Sequence, residues 1–305
     1  RWYPGAGIYR KVTLVVANPV HVAQWGTQVT TPHVSGDVAT VKTRATIENH
    51  SEKDATVGVV FHYRDPDGKS KTSTSEKVTV PAGGSKDVEA STDLLNPQRW
   101  DIDSPVLYTV ETAIVPEEAL GLKDMNDTTA IDSVTTPFGI RTFEFTADDG
   151  FHLNGRRVQL YGVNLHHDHG PLGAAFFPRA MERQLEIMRE IGVNAIRTSH
   201  NAPAPELLDL CDRMGFVVWD ECFDKWDDKA DRVNGEPPLE DHAERHLRAM
   251  MARDRNHPSV VVWSIANEIS DMGGAHGLTN ERCEMMRDIV RKYDDTRPVG
   301  LAHHI

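Results

Sequence analysis

Residues 260–270 read VVVWSIANEIS, an apolar run that closes on an amide, Asn267, a carboxylate, Glu268, and a hydroxyl, Ser270. A carboxylate so placed either leaves the core where the strand ends or carries a large desolvation cost. The plain reading is a loop-exposed acid, or one paired with Arg197 or Arg255. Asn267 supports a chemical reading, because a neutral donor and acceptor can hold a polar substrate without locking the acid into an ion pair. A carboxyl partly withdrawn from water is also pushed up in pKa, which suits it to donating a proton near neutral pH.

Similar polar groups close other apolar runs. Residues 164–169 carry Asn164, His166, His167, Asp168 and His169, and residues 197–201 carry Arg197, His200 and Asn201. The pair Asp220-Glu221 and the pair His303-His304 follow the same pattern. His167-x-His169 is similar to the opening ligand pair of barrel metallohydrolases, but the later runs end in Arg, Asn and Glu and supply no further ligand set. Arg197 reads as a cation closing onto a strand-end acid, with Asp220 or Glu221 as its partner. His200 and Asn201, one step further out, are placed to touch a ligand. Trp226 and Trp263 read either as core residues or as faces against which the C–H side of a sugar ring stacks. Carboxylates, amides, imidazoles and aromatics, with no phosphate cradle and no GxSxG elbow, suit a carbohydrate.

Positioning these groups needs two kinds of element. From about residue 12 to residue 146 apolar and polar residues alternate, as in KVTLVV, ATVKTRATIEN, ATVGVVFHYRD and EKVTVPAG, with turn formers between them. Residues 65–69, DPDGK, predict a tight turn in which Pro66 sets one φ and Gly68 accepts a positive one. Residues 106–115 and 138–145 supply the last strands of an antiparallel β-sandwich. After residue 150 the period changes. Strands at 158–164, 193–198, 216–220, 260–266 and 298–303 alternate with helices at 179–191, 205–214, 239–253 and 278–293, which predicts a parallel sheet with right-handed crossovers. The segment GVNLHHDHG is no GxGxxG, against a dinucleotide-binding sheet, and a barrel gathers polar strand ends at one mouth. Five strands are predicted, so the barrel is expected not to close within these residues.

A length of 305 residues predicts two domains, and 39% hydrophobic residues suffice to fill their cores. A net charge of −13 repels phosphate backbones, so no nucleic-acid partner is expected. The three cysteines lack metal spacing. No apolar run approaches the roughly 18 residues of a membrane span, so no membrane partner is expected. The N-terminus has no signal-peptide layout, and the low cysteine use permits a cytoplasmic or an exported setting equally.

The stretches WYPGAGIYRKVTLV, FGIRTFEFTADDGFHLNGRRVQLYGVN, GVNAIRTSHNAPAPELLDLCDRMGFVVWDE and DRNHPSVVVWSIANE occur in that order. Together they resemble glycoside hydrolase family 2, the family of β-galactosidases, β-glucuronidases and β-mannosidases. The resemblance implies the end of a jelly-roll domain at residues 1–20, an immunoglobulin-like β-sandwich at 21–140, and the first five strands of a catalytic (β/α)8 TIM barrel at 141–305. It implies a retaining mechanism with Glu268 as the acid/base and Asn267 bonding the 2-hydroxyl of the sugar. His166 and His200 match histidines around the glycone, and Arg197 matches the arginine of the second strand. Glu221 matches an acid that binds magnesium in some members, although residues 223–226, FDKW, lack the extra histidine. Asp168, within GVNLHHDHGPLGAAF, would contact galactose hydroxyls as in bacterial β-galactosidases. Asn201, Trp226 and Trp263 complete the expected substrate-binding set. Ala266 stands where the family often has glycine.

The nucleophilic glutamate of the family follows a seventh strand, so it is expected beyond Ile305, and the chain is expected to be an internal fragment. The expected activity is that of a retaining exo-β-glycosidase, a β-galactosidase acting on an oligosaccharide or β-glycoside. The alternatives are a β-glucuronidase of the same family, a carbohydrate-binding fragment without its nucleophile, and a barrel metallohydrolase. No cofactor is required by this reading. A divalent cation and homo-oligomerisation stay open.

Overall fold

The computed structural model describes residues 7–120, 130–226, 238–269 and 278–303. The chain forms two compact units. One comprises Thr13–Glu144 with Leu153–Arg156. The other comprises Arg157–Ile305 with Phe145–His152 and the first twelve residues.

The first unit is an antiparallel sandwich. Its strands are β1 (Val20–Val34), β2 (Val38–Asn49), β3 (Ala55–Arg64), β4 (Ser70–Val80), β5 (Gly84–Leu95), β6 (Tyr108–Pro116) and β7 (Asp132–Phe138). They form one sheet in the order β1-β2-β5 and another in the order β4-β3-β6-β7. Alternation decides which side chains meet between the sheets: in β2, Ala39, Val41, Thr43, Ala45 and Ile47 are fully buried while Lys42 is exposed. Phe61, Tyr63, Tyr108 and Ile114 fill the core from the facing sheet, and the Tyr63 hydroxyl is satisfied inside it by donating to Thr43 Oγ1 at 2.9 Å. The β3–β4 turn forms at the predicted DPDGK. Asp65 Oδ1 accepts from the N–H groups of Asp67 and Lys69, and Gly68 takes φ +77°.

Two expectations shift in this unit. The predicted strand at residues 11–16 is not a strand, and Val12, Leu14, Val15 and Val16 are exposed; extended backbone becomes a strand only where a neighbour accepts its ladder. Conversely β1, β5 and β7 form where no alternation was read. Register irregularities between Val22 and Thr27 and between Thr30 and His33 break the period of β1, and polar residues dominate β5. Short strands β8 (Phe143–Thr146), β9 (Gly150–Leu153) and β10 (Arg156–Arg157) carry the chain onward.

The second unit is an incomplete barrel. Strands β11 (Gly162–His166), β12 (Ala195–Ser199), β13 (Val217–Glu221), β14 (Val260–Ile269) and β15 (Val299–His303) lie side by side in sequence order, all parallel. Between them run α1 (Pro178–Glu190), α2 (Pro205–Met214), α3 (Leu239–Asp254) and α4 (Asn280–Tyr293). Proline in the first turn starts α1 and α2, Gly215 at φ +72° ends α2, and Thr279 Oγ1 caps α4 by accepting from the N–H of Arg282. Helix faces such as Leu207, Leu208 and Cys211, or Leu247, Met250 and Met251, are buried on the sheet. A parallel ladder in sequence order brings all five C-terminal strand ends to one edge. His304 lies outside the described residues.

Candidate active site

Arg197 on β12 is the hub of that edge. Its Nε donates to Glu221 Oε2 at 2.9 Å, and Nη2 donates to Glu221 Oε1 at 3.0 Å and to Asn267 Oδ1 at 2.9 Å. Nη1 donates to Asn164 Oδ1 at 3.2 Å. One planar fork thus ties β12 to β11, β13 and β14, a geometry that lysine could not reproduce. Of the two acids that could answer Arg197, Glu221 does so.

Glu221 is fully buried and its oxygens are filled. Besides Arg197, they accept from Ser264 Oγ at 2.7 Å and from His200 Nδ1 at 2.8 Å. A carboxylate offers about four lone-pair sites, and all are taken here. Glu221 therefore does not fit as a ligand for magnesium, nor as an open contact for a substrate. Its partner in sequence points elsewhere: burial, with Asp254 beside it, holds the Asp220 carboxyl well above the usual range, and Thr198 Oγ1 lies 3.4 Å from Asp220 Oδ1.

Asn267 is nearly buried, and its amide orientation follows from its partners. Arg197 only donates, so Oδ1 must face it, while Nδ2 donates to Asp224 Oδ1 at 2.9 Å. The backbone N–H of Asn267 also donates to the Asp224 carbonyl at 2.7 Å. One N–H of the side-chain amide remains for an incoming hydroxyl. Glu268 follows with its side chain 57% exposed and its backbone in the left-handed region at φ +49°. Its Oε2 accepts from Lys225 Nζ at 2.9 Å, and the same ammonium lies 3.3 Å from the Asn267 carbonyl. Arg197, one of the two arginines expected to pair with this acid, is engaged instead with Glu221.

His166 ends β11 and meets His200 edge-on, with ring centroids 5.1 Å apart. Burial, then the neighbouring His200, lowers the His166 pKa below its ordinary value, so the ring is neutral at pH 7 and can donate or accept one hydrogen bond. Asp168 lies just beyond, where its Oδ1 accepts from the N–H of Gly170 at 3.0 Å. Asn201 turns its side-chain amide to the Ala202 carbonyl at 3.2 Å.

His167 and His169 diverge. His167 stacks on Tyr9 at 6.2 Å, and His169, buried, packs edge-on against Phe176 at 5.6 Å. Among the described residues no third ligand joins either ring.

The two tryptophans are not at the edge. Trp263 is fully buried and donates from Nε1 to Asp294 Oδ2 at 2.8 Å, with the Arg297 guanidinium over its ring. Trp226, also buried, donates to the Ile265 carbonyl at 2.9 Å beneath Arg282. Both belong to the layer between sheet and helices, and the reading of either as a sugar platform gives way to the core reading. Asp224, Lys225 and Ser264 were not singled out from the sequence; the first two lie just past the end of β13, beyond the Asp220-Glu221 pair that drew attention there.

Comparison with known proteins bears on this arrangement. The model for the TIM barrel domain of glycosyl hydrolases family 2 matches residues 145–304, and a second model, glycosyl hydrolases family 2, matches residues 20–141. The chain belongs to glycoside hydrolase family 2. The β-galactosidase BoGH2A of Bacteroides ovatus is 45% identical over 269 residues, covering 88% of this chain and 30% of that protein. A β-glucuronidase of Bacteroides fragilis is 29% identical over 306 residues, 97% of this chain and 42% of that protein. A family 2 structure from Bacteroides cellulosilyticus matches with a TM-score of 0.86 at 36% identity, covering 99% of this chain and 39% of that one. The chain thus spans well under half the length of these family 2 relatives. Its sandwich and barrel are the two family 2 domains that the models describe.

Proposed function

We propose that this chain carries the acid/base half of a retaining exo-β-glycosidase site, with a terminal β-galactoside as the substrate. The observation that supports it most is Glu268, exposed at the C-terminal end of β14 beside an Asn267 whose amide is fixed by Arg197 and Asp224. Substrate would be held by the remaining N–H of Asn267 and by the His166–His200 pair, with Asp168 nearby. Glu268 protonates the departing glycosidic oxygen and then takes a proton from the water that releases the sugar. Such a mechanism needs a second carboxylate about 5–5.5 Å away. Glu221, saturated by Arg197, His200 and Ser264, is not that nucleophile; a later barrel strand supplies it in this reading.

The choice of galactose rests on the 45% identity to a β-galactosidase, and glucuronate is the second reading because family relatives carry that activity in their names. In the full-length enzyme, Glu268→Gln should reduce turnover of glycosides with poor leaving groups by about 10²–10⁴-fold while sparing activated aryl glycosides. Equal loss on both classes, or none, would sink the acid/base assignment. Rates on aryl β-galactoside and aryl β-glucuronide under the same conditions decide between the sugars.

A further inference from the structure

The outer face of the sandwich carries a cluster that the glycosidase reading does not use. In the β1–β2 ladder His21 stands directly opposite Glu48, and His50 follows two residues after Glu48, so alternation sends all three side chains to one face. His50 is anchored there by its backbone N–H, which donates to the Pro19 carbonyl at 2.8 Å. His21 Nε2 and His50 Nε2 lie 3.5 and 3.1 Å from the same carboxylate oxygen, Glu48 Oε2. The two rings stack 5.2 Å apart. All three ligand atoms lie within 4.8 Å of one another.

The hydrogen bonding at His21 fixes what belongs between them. Its Nδ1 lies 2.9 Å from the Asn18 carbonyl oxygen, an acceptor only, so Nδ1 carries the proton. In the neutral ring Nε2 then presents a lone pair to a carboxylate oxygen, an arrangement that calls for a positive centre. A backbone carbonyl holding the distal ring nitrogen is also how metal-ligating histidines are oriented. A tetrahedral ion with bonds of about 2.0–2.1 Å sets its ligand atoms about 3.3 Å apart, between the two distances seen. His50, with its side chain 66% exposed, leaves the fourth position open to water.

We propose that His21, Glu48 and His50 bind one divalent transition-metal ion, Zn²⁺ in the first instance, clasping the start of β1 to the end of β2. Two imidazoles and one carboxylate suit zinc and the later first-row ions, not Mg²⁺, which prefers an all-oxygen octahedral shell. The test is titration of the chelator-treated chain with ZnCl₂ by calorimetry, alongside thermal unfolding. One Zn²⁺ per chain and a melting temperature that rises with zinc concentration are expected. His50→Ala, an exposed change that spares the core, should weaken binding by roughly tenfold or more, and His21→Gln likewise. No zinc uptake, uptake undiminished in His50→Ala, or equal binding of MgCl₂ would overturn the proposal.

Discussion

Arg197 gives four of its five N–H groups to three side chains, and the site depends on that commitment. Glu221→Gln would leave the guanidinium without its buried counter-charge. Breaking such a pair from one side costs about 3–5 kcal/mol, so denaturation of this variant should show a loss of that order. Trp263→Phe provides a contrast. Removing the indole N–H from Asp294 should cost about 1–2 kcal/mol, while KM of the proposed full-length glycosidase stays unchanged because the ring is a core residue. A raised KM with stability intact would restore it to the substrate. Residue type alone could find Glu268, Asn267 and Arg197, since polar groups at the end of a buried run demand a reason. It could not separate Trp263 from a sugar platform: an aromatic near a strand end is compatible with either face, and only the contact with Asp294 shows which face it took.

At the scale of elements, one buried pair clamps the helical layer. Asp212 on α2 accepts from His257 Nδ1 at 2.6 Å and from the Ser259 N–H at 3.0 Å, fixing the turn that leads from α3 into β14. Burial opposes charge on His257, yet Asp212 raises its pKa from 6.5 to about 9. A histidine whose pKa is raised on folding contributes stability that is fully present below pH 6.5 and is lost as pH climbs through about 9. That contribution is on the order of 3 kcal/mol. Urea denaturation between pH 6 and 10 should therefore show a fall in stability that Asp212→Asn abolishes; the same slope in that variant would refute the pairing. The barrel elements were legible because helical and strand periods alternate cleanly from residue 178 onward, and α2 forms over the predicted residues 205–214. Strand β11 starts later than expected, at Gly162, where pairing with Ala195 begins. The sandwich was harder to read: in β5 polar residues dominate and only Val88, Ala90 and Leu94 are buried, too few to display the period.

For the molecule as a whole, two cores with different periodicities account for most of the buried apolar residues, one between antiparallel sheets and one between a parallel sheet and its helices. The change of period near residue 150 was visible in the sequence because each architecture imposes its own spacing on apolar residues. What was not visible is where the chain stores strain. Glu268 sits at φ +49°, a backbone that costs an L-residue about 1–2 kcal/mol, and its contact with Lys225 is of the exposed kind that contributes roughly 0–1 kcal/mol. Glu268→Gly should then melt higher than Glu268→Ala, which loses the same side-chain contacts but keeps a Cβ in the left-handed region, by the equivalent of about 1 kcal/mol; equal melting temperatures would show the strain to be absent. Laboratory evolution for heat resistance alone would accordingly discard the proposed proton donor early, and only a simultaneous demand for sugar hydrolysis would keep a glutamate in a place that glycine fits better.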